Sequence, residues 1–290
     1  MGIHSAVATL PPQRRRRSSI LPVVVILVGV LLLLYPVVAT QWNNIRQQEA
    51  ALAYSKLEQK AEPSALAAAI DAARTYNRTR TPGPILDPWL SRVTEENTDY
   101  QAYLAELHQL ETMARLIVPS ATVDLPVFHG TSEEVLTQGV GHLYGSDLPV
   151  GGEGSHAVLT AHTGLTTATL FDNLVDVRVG DPIYVQVSGE KLKYEVHDTQ
   201  VVLPEDTDSL AQAEGEDLLT LITCTPYGVN THRLLVHAHR VPMDDNAGFL
   251  EKPAITWQWW MWAMLAGAVV VFLALVAWLR HQYRRASREH

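Results

Sequence analysis

Cysteine is almost absent from this chain of 290 residues, which contains only Cys224. A single thiol excludes an intramolecular disulfide framework and any zinc site built from several cysteines. Basic residues are also in the minority, with 22 lysines and arginines against 31 acidic residues and a formal net charge of -9. This balance disfavours a nucleic-acid-binding protein, because phosphate contacts require a basic surface. A hydrophobic content of 47% with 18% charged residues excludes a disordered chain.

Charged side chains are missing altogether from two long stretches, residues 20–39 and 257–279. A helix that crosses a bilayer needs about 20 apolar residues, because its backbone groups must bond internally in lipid. Both stretches are therefore predicted to be transmembrane helices. The second begins with a tryptophan cluster typical of an interfacial aromatic belt: Trp257, Trp259, Trp260 and Trp262.

The orientation of the chain is predicted from its two basic ends. Residues 1–19 carry four arginines and no acid, and residues 280–290 carry four arginines and one glutamate. The positive-inside rule then places both termini in the cytoplasm of a two-pass membrane protein, with the residues between the spans on the other side. The alternative for residues 20–39 is a cleaved signal peptide, whose apolar region usually has only about 7–15 residues. In either case the central part of the chain is exported.

The exported part changes character near residue 115. Residues 41–80 are rich in Ala, Gln, Glu and Leu, which favours helices. Residues 81–90 contain three prolines and a glycine, which predicts an irregular segment. After residue 115 the sequence consists of short apolar runs separated by turn-forming residues, which is typical of an all-β barrel or sandwich. The predicted strands are 116–118, 123–127, 157–161, 182–187, 191–202, 218–223 and 233–241.

The residues with the clearest chemistry are Cys224 and Arg233, at the two ends of a polar loop. If the flanking strands form a hairpin, the two residues lie on neighbouring strands, about 4.8 Å apart across the ladder. A guanidinium at that distance favours the reactive thiolate and can hold a developing oxyanion. A lone cysteine is often only a small buried apolar residue, but its position at a strand end before a polar loop favours a nucleophile.

His162 is the predicted acid–base partner of the thiol. A nucleophilic cysteine usually requires a histidine, and His162 lies where an apolar run opens into a loop, the place where scaffolds present catalytic groups. His108, His156 and His197 are instead predicted to be exposed surface residues.

A metal site is not predicted. His237 and His239 are two residues apart, so they share one face of a strand and could bind a metal together. No third ligand is evident near them in the sequence, which argues against a metal centre.

The sequence around Cys224 resembles a known family. Residues 220–235, TLITCTPYGVNTHRLL, are similar to the TLxTCxPYGxNTHRLLV signature of sortases, and of the pilus-assembling class C branch in particular. Residues 158–165, VLTAHTGL, resemble the histidine segment of that family, although Ala161 and Thr163 stand where Gly and Arg are expected. The likeness runs from about residue 86 to residue 241, and further landmarks are residues 124–130, 140–143 and 151–152.

The irregular segment gains an interpretation from the same resemblance. Class C sortases carry a lid with an Asp-Pro-aromatic motif over the active site, and Asp87-Pro88-Trp89 matches that motif. A carboxylate can pair with a site arginine, and an indole can cover an apolar groove and a sulfur. The alternative is a proline-rich linker whose Trp89 docks on any hydrophobic surface.

The resemblance implies a mainly β protein, a sortase-type closed β-barrel of about eight strands with N-terminal helices and two flanking transmembrane helices. It implies a membrane-anchored cysteine transpeptidase that cleaves LPxTG-like sorting signals of pilins or surface proteins between Thr and Gly. Cys224 would be the nucleophile, His162 the proton donor and Arg233 the oxyanion or substrate ligand. The acyl group would pass to a lysine amine of an acceptor pilin, without any cofactor.

Two alternatives remain open from the sequence. One is a sortase that attaches surface proteins to cell-wall peptidoglycan, and the other is a non-enzymatic, membrane-tethered metal-binding or sensing module that uses His237 and His239. The partners expected under the main interpretation include membrane lipid and exclude nucleic acid. The predicted divisions are a cytoplasmic tail (1–19), a span (20–39), a helical region (41–114) with the lid segment (81–92), the catalytic barrel (115–245), a second span (257–279) and a second cytoplasmic tail (280–290).

Overall fold

A computed structural model of the chain describes residues 20–80, 87–89, 97–244 and 257–286. The predicted tail 1–19 and all of the predicted lid segment except residues 87–89 lie outside the described residues. The chain separates into a unit formed by Met1–Pro36 with Gln258–His290, and a larger unit formed by Val37–Trp257. The helices of the described part are α1 (Ile20–Glu58), α2 (Pro63–Thr79), α3 (Thr98–Ala105), α4 (Glu133–Gln138) and α5 (Trp259–Ala286).

Helix α1 contains the first stretch predicted as a membrane span, and α5 contains the second from Trp259 onward. Over their most apolar 18-residue windows the mean hydropathy is 2.9 in α1 and 2.4 in α5, and no other helix of the described residues is both long and apolar enough to cross a membrane. Apolar side chains of the first stretch are open to the surroundings, with Leu31 69% and Leu32 70% exposed. This exposure is what a lipid-facing helix requires. Helix α1 continues 19 residues beyond the predicted end of the span, through the helix-favouring composition that follows it.

The larger unit is built on a closed barrel, as predicted. Its eight strands within the described residues follow the neighbour order β1-β2-β3-β4-β7-β8-β6-β5, and β5 pairs with β1 to close the ring. Two neighbouring pairs, β2–β3 and β4–β7, are parallel, and the others are antiparallel. The strands are β1 (Ala114–Val118), β2 (Val123–His129), β3 (Val140–His142), β4 (Ser155–Thr160), β5 (Pro182–Val187), β6 (Glu190–Val202), β7 (Asp217–Thr225) and β8 (His232–Val241).

The apolar core occupies the barrel and continues under the helices. Strands β1 and β4 are buried along their whole length, because helices and loops cover the faces that do not point into the barrel. Ile70 of α2 and Tyr103 of α3 belong to the same cluster of buried side chains as Leu221 of β7. Each such side chain stabilises the fold by about 1.5–3 kcal/mol through removal from water.

The second half of α1 is fixed to the barrel by polar contacts. Ser55 donates to the Gln186 side chain at 2.8 Å and accepts from Arg115 at 3.0 Å. Arg115 also forms two hydrogen bonds of 2.7 Å with the carboxylate of Asp124. All four side chains are buried, so the charges are paired as a low-dielectric environment requires. Residues 37–58 of α1 are therefore an integral part of the larger unit.

Candidate active site

Cys224 and Arg233 lie directly opposite each other in the β7–β8 hairpin. Strand β7 ends one residue after Cys224, and β8 begins one residue before Arg233, so both side chains sit at the same end of the barrel. Each residue is only 8% exposed. The structure therefore places Cys224 and Arg233 on neighbouring strands, as expected if the two strands form a hairpin.

His162 reaches the same end of the barrel from β4. Strands β4 and β7 are parallel, with Thr160 opposite Ile222. Beyond the last pair, the Ala161 amide donates to the Ile222 carbonyl at 3.3 Å, and the Thr223 hydroxyl donates to the Ala161 carbonyl at 2.8 Å. Because the carboxyl ends of parallel strands meet at one edge, the chain leaves β4 at His162 beside the end of β7 that carries Cys224.

Asp87 and Trp89 contact two of the three predicted catalytic residues. The Asp87 carboxylate accepts two hydrogen bonds from the Arg233 guanidinium, at 2.5 Å from Nε and 3.1 Å from Nη2. The same guanidinium lies over the Trp89 ring at 4.6 Å. Trp89 Nε1 donates to Nδ1 of His162 at 3.2 Å. The described part of the predicted lid therefore occupies both the cation and the imidazole.

Two further bonds hold this segment in place. The Trp89 amide donates to the Asp87 carboxylate at 3.0 Å, which closes a short turn between them. The Thr131 hydroxyl donates to the Pro88 carbonyl at 2.9 Å and ties the turn to the barrel. Sequence reasoning missed Thr131, since a loop threonine carries no signal of a partner 43 positions earlier.

The electrostatic surroundings favour the neutral form of Cys224. Burial raises the pKa of the thiol, the Arg233 guanidinium acts in the opposite direction, and the Asp87 carboxylate raises the pKa further. Arg233 would promote the thiolate more strongly without Asp87 beside it, because the carboxylate offsets its charge.

His162 is also held in its neutral form. Burial lowers its pKa, and the Glu133 carboxylate acts in the opposite direction. That carboxylate lies 3.5 Å from Nε2 and is 77% exposed, so its contact is weak, and Nε2 is a buried atom without a hydrogen-bond partner. Because Nδ1 accepts the indole N–H, the neutral ring carries its proton on Nε2. Glu133, on α4, was missed by the sequence reasoning because only the folded chain brings it near His162.

Three other histidines, His197, His237 and His239, form a separate group on strands β6 and β8. The rings of His197 and His239 are 5.4 Å apart, and those of His197 and His237 are 6.3 Å apart. Burial and the neighbouring histidines lower the pKa of His237 to about 4. Within the described ranges, no set of three or more His, Cys, Asp or Glu side chains has an arrangement that could hold a metal.

The prediction that His156 is exposed was wrong. His156 is 1% exposed, its Nδ1 donates to the Ala211 carbonyl at 2.8 Å, and its Nε2 lies 2.7 Å from the Thr220 hydroxyl. The chain from residue 203 to residue 216 covers this end of β4 and supplies the carbonyl, a long-range contact that local sequence does not reveal. His108 and His197 are exposed, as predicted.

Comparison with known proteins finds a family model and solved structures that match the part of the chain containing these residues. The family model described as the sortase domain matches residues 116–241, which include His162, Cys224 and Arg233. The solved structure of sortase C-1 from Actinomyces oris is 55% identical, with a TM-score of 0.61, over 62% of this chain and 99% of that chain. The pilus-related sortase C of Group B Streptococcus is 36% identical, with a TM-score of 0.59, over 65% of this chain and 95% of that chain.

A curated relative gives a more distant match. Sortase A from Streptococcus agalactiae serotype III (strain NEM316) is 28% identical over 134 residues, 45% of this chain. The chain spans 53% of that relative's length, and 61% and 62% of two other curated sortases. The family resemblance predicted from the motifs is confirmed over the matched residues.

Proposed function

The chain belongs to the sortase family, and we propose that it acts as a membrane-anchored cysteine transpeptidase that joins pilins through isopeptide bonds. The observation that carries this proposal is the meeting of three groups at one barrel end. Cys224 lies opposite Arg233, and the parallel pairing of β4 with β7 brings His162 to the same edge. A thiol, a cation and an imidazole are the groups that acyl transfer through a thioester requires.

In the acylation step, the thiolate of Cys224 attacks the carbonyl carbon between Thr and Gly of a sorting signal. A carbon–sulfur bond forms, and the carbonyl electron pair moves to oxygen, where the Arg233 guanidinium stabilises the negative charge. Collapse of this intermediate breaks the carbon–nitrogen bond. The leaving amine takes a proton from His162, which had accepted the thiol proton. The product is a thioester on Cys224 and a free amino-terminal glycine fragment.

In the second step, a lysine amine of an acceptor pilin attacks the thioester carbonyl. Its nitrogen loses a proton to His162, the carbon–sulfur bond breaks, and the thiolate of Cys224 is restored. The bond formed is an amide between the threonine carboxyl group and the lysine side chain. The step uses the same cation for the oxyanion, so one arrangement of residues serves both halves of the reaction.

The contacts of Asp87 and Trp89 imply that the described arrangement is closed. Arg233 cannot hold a substrate oxyanion while it binds the Asp87 carboxylate through two of its nitrogens. The Trp89 indole occupies Nδ1 of His162 and lies beside the imidazole ring, at 5.9 Å between ring centres. We infer that these two residues form a lid that must leave before a sorting signal can bind.

The lid and the likeness to a pilus-related sortase support a pilin as the acceptor in preference to peptidoglycan. The two apolar helices and the arginine-rich ends support a barrel held at the outer face of the membrane, with both termini in the cytoplasm. A metal-binding module based on His237 and His239 finds no support in the described residues, because the arrangement needed for a metal is missing there.

Mass spectrometry of the full chain in detergent tests the proposal. The chain is incubated with an LPxTG peptide, both as wild type and with Asp87 and Trp89 replaced by Ala to open the site. The expected product is a thioester adduct on Cys224 whose mass corresponds to the peptide up to threonine. The adduct is then offered a lysine-containing pilin peptide or a peptidoglycan fragment, and transfer to the lysine is expected.

Two outcomes and one control decide between the candidates. Transfer to the peptidoglycan fragment alone would identify a cell-wall-anchoring enzyme. The matched control is the Cys224→Ala chain, which should form no adduct. The absence of an adduct from both the wild type and the open variant would refute the transpeptidase proposal.

A further inference from the structure

The loop that carries His162 is closed on itself by hydrogen bonds at its neck. The Phe171 amide donates to the His162 carbonyl at 3.1 Å. The next residue, Asp172, accepts two hydrogen bonds through one carboxylate oxygen, from the Gly164 amide at 2.8 Å and from the Thr163 hydroxyl at 3.1 Å. Residues 162–164 at the start of the loop are thus tied to residues 171–172 at its end.

This neck packs against the loop that joins Cys224 to Arg233. Gly164 has φ +76, and a Cβ added there would lie 3.3 Å from the Gly228 amide nitrogen. The backbone of the histidine loop therefore approaches the β7–β8 loop closely, and a side chain at position 164 would have to displace it by a few tenths of an ångström. Burial raises the pKa of Tyr227 and the Asp172 charge raises it further, which places this carboxylate near the same loop.

We propose that Asp172 is a positioning residue for His162, acting through Thr163 and Gly164. The proposal rests on the proposed function, since it assigns Asp172 a part in acyl transfer. The carboxylate fixes the two residues that follow His162, and so it sets the direction in which the imidazole leaves β4. One of its two partners is Thr163, which stands where the family pattern has an arginine. The family motif therefore does not predict the hydrogen bond between Thr163 and Asp172.

The surroundings of Asp172 disfavour its charged form, so two donors are needed to keep the carboxylate ionised. Burial raises its pKa to about 6, and the bonds from Gly164 and Thr163 act in the opposite direction. At pH 7 the group is ionised and accepts both bonds, whereas protonation below about pH 6 removes acceptor capacity. The groups that act on Asp172 are these two donors, and the ionisable group near it on the facing loop is Tyr227. The histidine loop should therefore be held most firmly above pH 6.

Three variants of the full chain in detergent test this role. Asp172→Ala removes both bonds, Asp172→Asn keeps an uncharged acceptor oxygen, and Asp176→Ala removes an exposed carboxylate from the same 3-10 helix, Asp172–Asp176. The measurement is the rate of thioester formation on Cys224 with an LPxTG peptide. We expect Asp172→Ala to be about 10- to 100-fold slower, the scale of a misplaced catalytic group, and Asp176→Ala to match the wild type.

The asparagine variant separates positioning from a merely structural role. It should retain a rate within about threefold of wild type at pH 7, because a neutral acceptor replaces the charged one. The wild-type rate should fall as the pH drops through about 6. The fall should be smaller in the asparagine variant, in which protonation of His162 still slows the reaction but residue 172 no longer titrates. Equal rates for Asp172→Ala and Asp176→Ala, or an unchanged fall in Asp172→Asn, would overturn the proposal.

Hydrogen exchange without substrate distinguishes this inference from the proposed function. Backbone amides of residues 162–171 should exchange faster in Asp172→Ala than in Asp176→Ala, while amides of β7 and β8 keep their protection. Equal exchange in the loop would overturn the positioning role even in an active enzyme. Faster exchange in the loop of Asp172→Ala, combined with no thioester formation by the wild-type chain, would instead refute the transpeptidase proposal. If Asp172→Ala fails to fold, the pH profile of Asp172→Asn decides the matter.

Discussion

Replacing both Asp87 and Trp89 by Ala should open the site without unfolding the barrel. Two charge-assisted hydrogen bonds to Arg233, the contact of that guanidinium with the indole, and the bond to His162 hold the lid. A charge-assisted hydrogen bond stabilises by about 1.5–3 kcal/mol, a contact between a guanidinium and an indole by about 1–2 kcal/mol, and a neutral hydrogen bond by about 1 kcal/mol. Ordering the three residues 87–89 costs about 1–2 kcal/mol each. With the two bonds to Arg233 counted separately, the middle of these ranges leaves a closed lid favoured by about 1–3 kcal/mol.

A preference of that size predicts the effect on the reactivity of Cys224. Each 1.4 kcal/mol is a factor of ten in an equilibrium, so the open form should make up about one tenth to one hundredth of the wild-type population. If a small thiol reagent reacts only with the open form, alkylation of the double variant should be about 10- to 100-fold faster. The melting temperature should fall by only a few degrees, because the lid residues belong to none of the barrel strands and the fold loses no more than the free energy of lid closure.

The assay must separate uncovering of the thiol from a change in its ionisation. Asp87 raises the pKa of Cys224, so its removal also increases the thiolate fraction. Asp87→Asn removes the charge while keeping the size and shape of the side chain, and its alkylation profile should shift to lower pH. Trp89→Ala keeps the charge, and it should raise the rate without moving the profile. Equal alkylation rates for wild type and the double variant at equal pH would show that these residues do not cover the thiol.

Other substitutions probe the remaining groups. Arg233→Lys should fold normally but lose about 100-fold or more in turnover, the scale of a lost oxyanion donor. The control Arg240→Lys, on the same strand, should stay near wild type. Equal turnover of the two variants would show that Arg233 takes no part in the reaction. His162→Asn should bind the sorting-signal peptide yet form the thioester on Cys224 very slowly. Rapid adduct formation by this variant would show that another group donates the proton to the leaving amine. Burial lowers the pKa of His142 to about 4, so its proton binds more tightly in the unfolded chain, and stability should fall as the pH drops from about 6.5 towards 4. Urea titrations at pH 7 and pH 5 should show a loss that is about 2 kcal/mol smaller in His142→Gln than in the wild type, because the other buried histidines, such as His237, contribute in both chains. An equal loss in both chains would exclude His142 as a source.

The parts of the site that could be predicted from sequence are those fixed by short-range geometry. A short polar loop between two apolar runs favours a hairpin, and the structure pairs Cys224 with Arg233 in it. His162 was found because a strand visibly ends there. The strand β3 (Val140–His142) was missed, since three residues with a central Gly141 carry no alternating pattern.

Contacts between distant segments were beyond the reach of sequence patterns. Helix α1 was predicted to end with the span, because a helix-favouring composition does not tell whether a helix continues or restarts. The burial of His156 depends on the chain near Ala211 folding over it. Asp172 reads as an ordinary loop acid, and only the closed neck of the loop gives it donors to bind. In each case the signal lies in tertiary packing, which local propensity does not encode.

The parallel pairing of β4 with β7 has a consequence for how the chain acquires its reactivity during folding. Cys224 and Arg233 are nine residues apart and meet through a hairpin, whereas Ala161 and Thr223, which join the histidine to the cysteine strand, are 62 residues apart. Closing the longer loop costs about 2 kcal/mol more in chain entropy, so this pairing should form later. Until it does, the thiol has its cation but no proton donor for a leaving amine. Under the proposed function, a chain whose barrel is incomplete therefore has the nucleophile and its cation but lacks the imidazole that acyl transfer requires.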